Sequence, residues 1–456
     1  MSISCYASRA ATRHFATPSY LLRRTITLKP QTWASVRHHA TAIAPDVSPN
    51  ESTGALKGLK ILDVTRVLSG PFCTQILADY GAEVIKIEET GKGDDTRHWL
   101  IAGEETQWKS DVGPISNYFC AINRNKRSIT LNLKSGEAKD IFFELLKTSD
   151  VLVENYKPGT MERLGLGYEV LAKVNPRLIY ASISGYGRTG PYGKRGGYDP
   201  IAAAEAGLLH VTGERNGLPV RPGIGMIDMA TGLYLHGAIL TALIARQQTG
   251  VGQRVDASLF ETQISLLTNV GMSWLNRGIE AERWGVQHPS IAPYNAFKTK
   301  DLYLVCGANN DVQFVKFCKL LGQDHLLGDD RFATNRKRVE HRDYLNNIFD
   351  EIFASKTTDE WLRIFEESGL AYAPINNMER TFAHPQTKAR DMVQELATDL
   401  STEGQVKVIG PAVKFSSTKT SYRSSPPRLG QHTQDILAEI GINRNKYEDL
   451  KSRKIV

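Results

Sequence analysis

The sequence predicts an α/β protein, in which a parallel β-sheet carries helices on both faces and a smaller α/β domain follows. Three observations support this fold class. The 456-residue chain is long enough for two or three domains. Short apolar segments alternate with amphipathic helical patterns from about residue 59 to residue 184, which is typical of a parallel sheet. Beyond about residue 260, charged amphipathic helices predominate.

The first strand–helix–strand unit has the clearest local pattern. Residues 59–64 predict a short strand, and residues 72–80 predict a helix with apolar side chains on one face. Pro71 precedes this helix and Gly81 follows it, which are the residues expected at a helix start and end. A second strand over 83–87 completes a predicted βαβ unit.

Later segments continue the alternation and then change character. We predict helices over 136–148, 168–174 and a buried one over 229–245, and strands over 129–133, 150–155 and 178–184. In the second half we predict strands over 302–306 and 404–416, and helices over 311–321, 342–354, 358–368 and 434–441. Polar residues interrupt the apolar helix 229–245, so we expect no membrane span. Parallel sheets bind ligands at the carboxyl ends of their strands.

The first 45 residues differ in charge from the rest. They carry six basic residues and no acidic one, which leaves 50 basic against 49 acidic residues in the remainder. A basic segment rich in Ser, Thr and Ala is typical of a mitochondrial presequence, and a disordered basic tail is the alternative. We therefore expect a mitochondrial matrix protein. The neutral remainder argues against nucleic acid as a partner.

The cysteines indicate neither disulfides nor a metal site. A matrix location implies reduced thiols, and after processing only Cys73, Cys120, Cys306 and Cys318 would remain. They form no CxxC pair and have no histidine at ligand spacing. We interpret them as buried thiols.

A glycine-rich segment follows the predicted strand 178–184. Residues 185–190 match GxGxxG, but Pro191 and further glycines follow, whereas a dinucleotide fingerprint must open directly into a helix. A nicotinamide-dependent oxidoreductase is therefore disfavoured. We interpret the segment as an active-site loop that ends at Tyr198 and Asp199.

Two further features have both a structural and a chemical interpretation. The basic residues Lys126, Arg127 and Lys134 suit a phosphorylated ligand, although a solvated basic loop would have the same composition. Asp228 precedes the long apolar helix, so it is either a helix N-cap or an anionic nucleophile that the helix N-terminus keeps ionised.

Ordered motifs across some 370 residues resemble the class III CoA-transferases, the formyl-CoA and carnitine CoA-transferase family that also includes 2-methylacyl-CoA racemases. The motifs lie at 56–63, 69–71, 77–88, 93–97, 125–128, 153–155, 158–159, 185–191, 197–199, 228 and 429–433. Residues 65–68, 220–223, 283–285, 296–300 and 374–378 are most similar to mitochondrial members that act on dicarboxylates. Two departures are visible: Glu89 stands where relatives often have Arg, and residues 285–288 replace a glycine-rich lid.

The resemblance implies the roles of individual residues. Asp228 matches the catalytic aspartate, and Tyr198 and Asp199 match a loop pair beside the thioester. Glycine-rich backbone nearby could stabilise oxyanions. The positions that contact CoA in the family are Val67, Lys134, Asn155 and Arg163, and the basic residues Lys126 and Arg127 are further candidates.

The resemblance also implies the assembly and the activity. It predicts a Rossmann-like large domain from 55–260 and 395–456, a small domain over 285–380, and a homodimer of interlocked rings. CoA would move from succinyl-CoA to a dicarboxylic acid such as 3-hydroxy-3-methylglutarate or glutarate, through aspartyl anhydride and aspartyl-CoA thioester intermediates. No permanent cofactor is needed, because CoA esters are the substrates.

The sequence leaves two alternative functions and one choice of binding residue open. A 2-methylacyl-CoA racemase should have His where Tyr198 stands, and a silent CoA-binding protein should have lost Asp228. The second carboxylate of a dicarboxylate needs a cation, for which Arg66 and Arg221 are candidates and His288 is the next. The preferred donor and acceptor acids are not determined by these residues.

Overall fold

Six parallel strands form the main sheet of the computed structural model, which describes residues 54–456. The prediction of a presequence over residues 1–45 lies outside the described residues. The strands are β1 (Lys60–Val64), β2 (Glu83–Glu88), β3 (Lys126–Thr130), β4 (Val151–Glu154), β5 (Ile179–Ser184) and β6 (Gln253–Ser258). Their order, β3-β2-β1-β4-β5-β6, is that of a Rossmann fold. The predicted parallel sheet is confirmed.

Helices cover both faces of this sheet. In chain order they are α1 (Ser69–Asp79), α2 (Asn117–Ala121), α3 (Gly136–Lys147), α4 (Thr160–Arg163), α5 (Tyr168–Val174), α6 (Asp199–Glu205), α7 (Leu208–Val211), α8 (Met226–Thr249), α9 (Leu259–Leu266) and α10 (Thr268–Arg277), with 3-10 turns at Asp95–His98 and Glu104–Gln107. The side chains of successive β1 residues point to opposite faces of the sheet. Leu62 packs with α3 and α5, whereas Ile61 packs with α1, α6 and α8.

The region after α10 contains a second sheet with its own core. Antiparallel strands β7 (Tyr294–Lys298), β8 (Tyr303–Gly307) and β9 (Ala371–Pro374) pack with helices α11 (Asp311–Leu320), α12 (Asn335–Glu340), α13 (Arg342–Phe353) and α14 (Thr358–Phe365), and 3-10 turns occur at Asp324–Gly328 and Asp330–Phe332. Aromatic rings dominate this core; those of Phe297 and Phe353 stack with centroids 4.7 Å apart. All described residues belong to one compact unit.

The last part of the chain returns to the first. After α15 (Met378–Ala383) and α16 (Pro385–Ala389), the antiparallel strands β10 (Val393–Ala397) and β11 (Gln405–Ile409) pack against side chains from residues 108–120. Helices α17 (Thr433–Glu439) and α18 (Arg444–Ser452) follow. Their Ile436 and Leu450 lie in the same core as Leu62 of β1, so both ends of the described chain stabilise one sheet.

Most predicted elements are confirmed, but three predictions need correction. The strand predicted over 129–133 is β3, which begins three residues earlier. The strand predicted over 404–416 ends at Ile409. Helix α8 is not buried on all sides, since Leu235 is buried whereas Leu233 is 49% exposed. Strand β6 was not predicted, because its sequence QRVDAS lacks the apolar character of an inner strand.

Among the described residues, α8 is the one helix that is long and apolar enough to cross a membrane by length and composition. One side of the helix, with Ile227, Leu235 and Ile239, packs on α1 and on the sheet, whereas other apolar side chains of α8 are exposed.

Candidate active site

Strands β1 and β4 mark the point where the order of the parallel sheet reverses. The chain leaves β1 toward β2 on one side, whereas β4 lies on the other side. The two segments that follow these strands are joined, because the Arg66 N–H donates to Asn155 Oδ1 at 3.0 Å and Asn155 Nδ2 donates to the Arg66 carbonyl at 2.7 Å. Ligands of open α/β sheets bind at such a point.

Two cavities meet at this edge of the sheet. A mainly apolar cleft of about 1100 Å³ and a smaller, more polar cavity of about 270 Å³ share four lining residues: Val67, Leu68, Tyr198 and Asp228. The structure therefore places the predicted nucleophile and one residue of the predicted loop pair at the junction. Asn155 lines the smaller cavity, while Asp199 lines the cleft.

The start of α8 is capped by a residue from another helix. Gly225 occupies the N-cap position and has no side chain to offer. Instead, Asp199 Oδ2 accepts the backbone N–H of Ile227 at 2.9 Å and that of Asp228 at 3.2 Å. The interpretation of Asp228 as the N-cap is therefore wrong: Asp228 lies in the first turn, and the cap is Asp199.

The electrostatics at Asp228 oppose ionisation. Burial and the negative charge of Asp199 raise the pKa of Asp228 from 3.8 to about 7, while a hydrogen bond from the Ser69 hydroxyl lowers it in part. The expectation that the helix N-terminus keeps this carboxylate acidic is corrected, because Asp199 already occupies the N–H groups and adds a like charge. A carboxylate with a pKa near neutrality in a cleft is typical of a reactive group.

The two ends of the glycine-rich segment, at Gly185 and Gly197, lie close together beside the smaller cavity. A Cβ atom on Gly185 would lie 2.6 Å from the Cα of Gly197, so the two backbones can meet only without side chains. Arg188 anchors the segment through ion pairs with Glu154, at 3.1 Å, and Glu162. The chain continues without a regular helix until α6, which confirms that GxGxxG is not a dinucleotide fingerprint here.

Comparison with known proteins decides the family. The family model described as CoA-transferase family III matches residues 56–433. The chain belongs to CoA-transferase family III. It is therefore a CoA-transferase.

Individual family III proteins are similar to this chain over most of their length. The chain is 66% identical to an acyl-CoA transferase of Fusarium pseudograminearum, covering 90% of each chain. It is 47% identical to the succinyl-CoA:glutarate CoA-transferase of Homo sapiens, covering 84% of this chain and 86% of that one. A crystal structure of a CAIB/BAIF family protein from Brucella suis superposes with a TM-score of 0.78 at 38% identity, covering 85% and 99% of the two chains.

The basic cluster of this family III chain is not a ligand surface as a whole. Lys126 is fully buried, and its ammonium donates to Asp63 at 2.9 Å, to the Pro71 carbonyl at 2.8 Å and to Asn123 Oδ1 at 2.9 Å. This corrects its assignment as a CoA contact, because the ammonium has no path to solvent. Arg127 pairs with Glu83 and Glu439 near the start of its strand, away from both cavities.

Two other predicted CoA contacts of the family III enzyme lie at the surface. Lys134 is exposed in the turn between β3 and α3. Arg163 is exposed at the end of α4, where it donates to Thr160 Oγ1 at 2.9 Å. Neither lines the two cavities. Their contact with CoA stays a prediction.

The candidate carboxylate-binding residues have different surroundings. Arg66 lines the smaller cavity and forms an ion pair with Asp95 at 3.0 Å. Arg221 lines the cleft with Asp228, and its guanidinium makes no ion pair or hydrogen bond with any residue of 54–456. His288 lines neither cavity; its Nδ1 accepts the Ser290 N–H at 3.2 Å.

Sequence reasoning missed two contributors to the site. Ser69, the first residue of α1, lines the smaller cavity together with Asp228 and lowers the pKa of its carboxyl group. Asp94 accepts the N–H of Val67 at 3.1 Å and thereby holds the left-handed backbone of that residue, whose φ is +69°. Both residues lie in motifs that resemble the family, but the local sequence does not reveal contacts that form only when the chain folds.

Proposed function

We propose that this CoA-transferase moves CoA from succinyl-CoA to a dicarboxylic acid, glutarate or 3-hydroxy-3-methylglutarate. The observation that carries the proposal is the place of Asp228, a partly buried carboxylate at the junction of two cavities. The 47% identity to the human succinyl-CoA:glutarate CoA-transferase supports the substrate class. So does the 38% identity to the succinate–glutarate CoA-transferase of Agrobacterium fabrum.

The chemistry follows from a carboxylate nucleophile. Asp228 attacks the thioester carbonyl of succinyl-CoA, and the C–S bond breaks to give a succinyl-aspartyl anhydride and CoA thiolate. The thiolate attacks the aspartyl carbonyl, which releases succinate and leaves an enzyme–CoA thioester. The acceptor carboxylate then attacks this thioester, and the thiolate attacks the acyl group of the resulting anhydride. Acyl-CoA leaves and Asp228 is regenerated.

The surroundings of Asp228 suit these steps without any permanent cofactor. Each addition produces an oxyanion, and the backbone N–H groups of the glycine-rich segment, including Gly196 and Gly197 at the smaller cavity, are available as donors. The apolar walls of the cleft limit the access of water, which would otherwise hydrolyse the anhydride. Tyr198 lies between the two cavities and can separate the CoA from the acid.

Arg221 is the better candidate for the second carboxylate of the acceptor. It shares the cleft with Asp228, and its guanidinium has no competing carboxylate among residues 54–456. Arg66 already has Asp95 as a partner, so a substrate would have to displace an existing ion pair. A free guanidinium can bind a carboxylate through two parallel hydrogen bonds.

We also propose a homodimer in the mitochondrial matrix. Apolar side chains exposed along α8, α9 and α10 support an interface: Leu233, Tyr234, Ile244, Ile264, Met272, Trp274 and Leu275. The basic, acid-free segment 1–45 supports the location.

The test is a panel of acids with succinyl-CoA as donor. Product CoA esters are measured by mass spectrometry, and we expect glutaryl-CoA or 3-hydroxy-3-methylglutaryl-CoA to form at least tenfold faster than monocarboxyl esters, about 1.4 kcal/mol of discrimination. Incubation with succinyl-CoA followed by hydroxylamine should modify Asp228. The same protein with 2-methylacyl-CoA in deuterated water tests the racemase alternative. Exchange of the α-proton without CoA transfer to any acid would overturn the proposal.

A further inference from the structure

The cap of α8 brings a second carboxylate to the nucleophile. Asp199 is buried at the first position of α6, and one of its oxygens accepts two N–H groups from the first turn of α8. A Cβ atom on Gly225 would lie 3.7 Å from Asp199 Oδ2 and 3.8 Å from the Cβ of Asp228. Both are ordinary contact distances, so the two carboxylates flank the N-cap of α8; the atom that a side chain at Gly225 would clash with is Leu68 Cδ2, at 2.7 Å.

Helix α1 approaches Asp228 from the other side. One turn beyond Asp228, a Cβ atom on Gly232 would lie 2.7 Å from the Ser69 carbonyl oxygen and 3.5 Å from the Cys73 nitrogen. This close packing of α8 on the start of α1 brings the buried Ser69 hydroxyl to the Asp228 carboxylate. Asp228 therefore has a hydroxyl group and a like charge near its carboxylate, and the hydroxyl lowers the pKa of Asp228 whereas the charge raises it.

The other ionisable groups around the site do not cancel this like charge. Asp199 adjoins Asp228, and Tyr118 and Arg221 line the same cleft. The remaining ionisable groups on the two cavities are Asp79, Tyr80, Arg124 and His236 at the cleft, and Arg66, Tyr156, Lys157 and Arg195 at the smaller cavity, with Tyr198 at both.

We propose that Asp199 is a positioning residue that both fixes the first turn of α8 and, by its negative charge, makes the Asp228 carboxylate a stronger nucleophile. The inference rests on the proposed function, in which Asp228 attacks the thioester. Acylation converts Asp228 to a neutral anhydride, so the repulsion between the two carboxylates is relieved as the bond forms. Ser69 acts in the opposite sense, because its hydroxyl lowers the pKa of Asp228.

Asp199 is not itself the nucleophile in this arrangement. One of its oxygens is occupied by the two N–H groups of α8, which hold it in place. Asp228, in contrast, lines both cavities, whereas Asp199 lines only the cleft. The two carboxylates therefore have separate tasks.

The central experiment is the Asp199→Asn substitution, which keeps an oxygen for the two N–H groups but removes the charge. In wild type, kcat should fall at low pH as Asp228 becomes protonated, and we call this fall the acid limb of the kcat profile. In Asp199→Asn we expect the acid limb to lie at a pH about one unit lower. Above this limb kcat should fall by about threefold, since nucleophilicity changes by only part of the change in basicity. KM for succinyl-CoA should stay within about twofold, as Asp199 does not bind the carrier.

Ser69→Ala and Asp301→Asn are the matched comparisons. Ser69→Ala removes the donor, so the acid limb should move up. Asp301 accepts the N–H groups of Leu302 and Thr358, far from the cleft, so its replacement makes the same chemical change at another helix start. The acid limb of Asp301→Asn should stay at the wild-type position. An unchanged limb in Asp199→Asn, with a raised KM alone, would overturn the proposal.

A second readout does not need activity. The pH at which the thermal midpoints of wild type and Asp228→Asn diverge reports the titration of Asp228. The comparison is repeated between Asp199→Asn and the double variant Asp199→Asn with Asp228→Asn. In this background the thermal midpoints should diverge at a pH about one unit lower. If the protein transferred CoA to no acid, this readout would still decide the inference. Identical divergence in both backgrounds would contradict it.

Discussion

Two groups of carboxylates lie at the same end of the parallel sheet and have opposite electrostatics. In the first group, Asp63, Glu88 and Asp94 are buried under the segment that follows β1, and each has a cationic partner. In the second group, Asp199 and Asp228 face one another beside the cleft, and neither forms an ion pair with any described residue. We refer to the first group, with Lys86, Arg97 and Lys126, as the buried ion network.

The buried ion network keeps its carboxylates ionised. Burial opposes the charge of Asp63, but Lys126, Lys86 and the hydroxyls of Thr65 and Thr74 together lower its pKa. Burial likewise opposes the charge of Glu88, whose pKa is lowered mainly by Arg97, through two hydrogen bonds of 2.7 Å.

The buried ion network also holds the backbone of residues 65–67, which borders the candidate active site. Lys86 donates to the Thr65 carbonyl at 2.9 Å and pairs with Asp94 at 3.0 Å. Asp94 in turn holds the N–H of Val67, a β-branched residue at a φ of +69°, where such residues are rarely found. The comparison teaches that paired buried charges here specify backbone geometry, whereas the pKa of Asp228, which has no cationic partner among the described residues, is raised toward neutrality.

The largest effect should come from replacing one carboxylate in the site. We expect Asp228→Asn to lower the rate of CoA transfer by about a thousandfold or more, because an amide cannot form the anhydride. Circular dichroism and binding of CoA should be close to wild type. Steady-state assays with succinyl-CoA measure the rate, and turnover within tenfold of wild type would contradict the assignment of the nucleophile.

Replacing a cation in the buried ion network should affect stability instead. Lys126→Met leaves the Asp63 carboxylate without the cation that pairs with it, so we expect a loss of about 3–5 kcal/mol in unfolding free energy. Denaturant unfolding measures this loss. The double variant Asp63→Asn with Lys126→Met removes both charges and should recover part of it. A Lys126→Met protein of wild-type stability would remove the contrast between the two groups.

The two groups should also differ in how pH affects stability. The pKa of Asp228 is about 7 in the folded protein and 3.8 as the ordinary value, so the folded state binds more protons between these pH values. Wild-type stability therefore falls as pH rises through this range. Asp228→Asn avoids the loss, and its advantage should grow from zero below about pH 4 to about 1–3 kcal/mol above pH 7, after allowance for partial solvation. Thermal unfolding across pH measures it, and a constant difference would contradict the raised pKa.

Substitution by Met should have different effects at Arg221, which has no ion-pair partner among residues 54–456, and at Arg66, which pairs with Asp95. Arg221→Met should lower activity with dicarboxylates by at least about tenfold relative to a monocarboxylate, because it removes a charged hydrogen bond worth about 1.5–3 kcal/mol. Arg66→Met is the control, since Asp95 already occupies that guanidinium. The ratio of kcat/KM for glutarate and a monocarboxylate is the measurement. The reverse result would assign the role to Arg66, and no change in either would make His288 the next residue to test.

The smallest effect should come from exposed cations outside both groups. Lys134→Met and Arg163→Met should each raise KM for succinyl-CoA by about fivefold and leave kcat unchanged, as exposed charge contacts are worth about 1 kcal/mol or less. Lys139→Met, on the neighbouring helix α3, is a comparable control. If both variants lowered only kcat, their assignment as CoA contacts would be wrong.

The sequence alone determined those parts of the protein that depend on local patterns. The periodicity and punctuation of 59–87 predict β1, α1 and β2 to within a few residues, because neighbouring residues decide strand or helix. The order of motifs identified the family, and position within a motif singled out Asp228. Strand β6 was missed because its polar sequence acquires a place in the sheet only by pairing with β5.

The tertiary structure alone decided which charges pair and which remain free. Lys126 stands in a basic run of sequence, yet its partner Asp63 is 63 residues away. Asp199 caps a helix whose N–H groups lie 28 and 29 residues further along the chain. Burial and long-range pairing set the free energy of a charge, and neither is encoded in the local sequence around it. The chemical character of Asp228 therefore emerges only when α1, α6 and α8 meet.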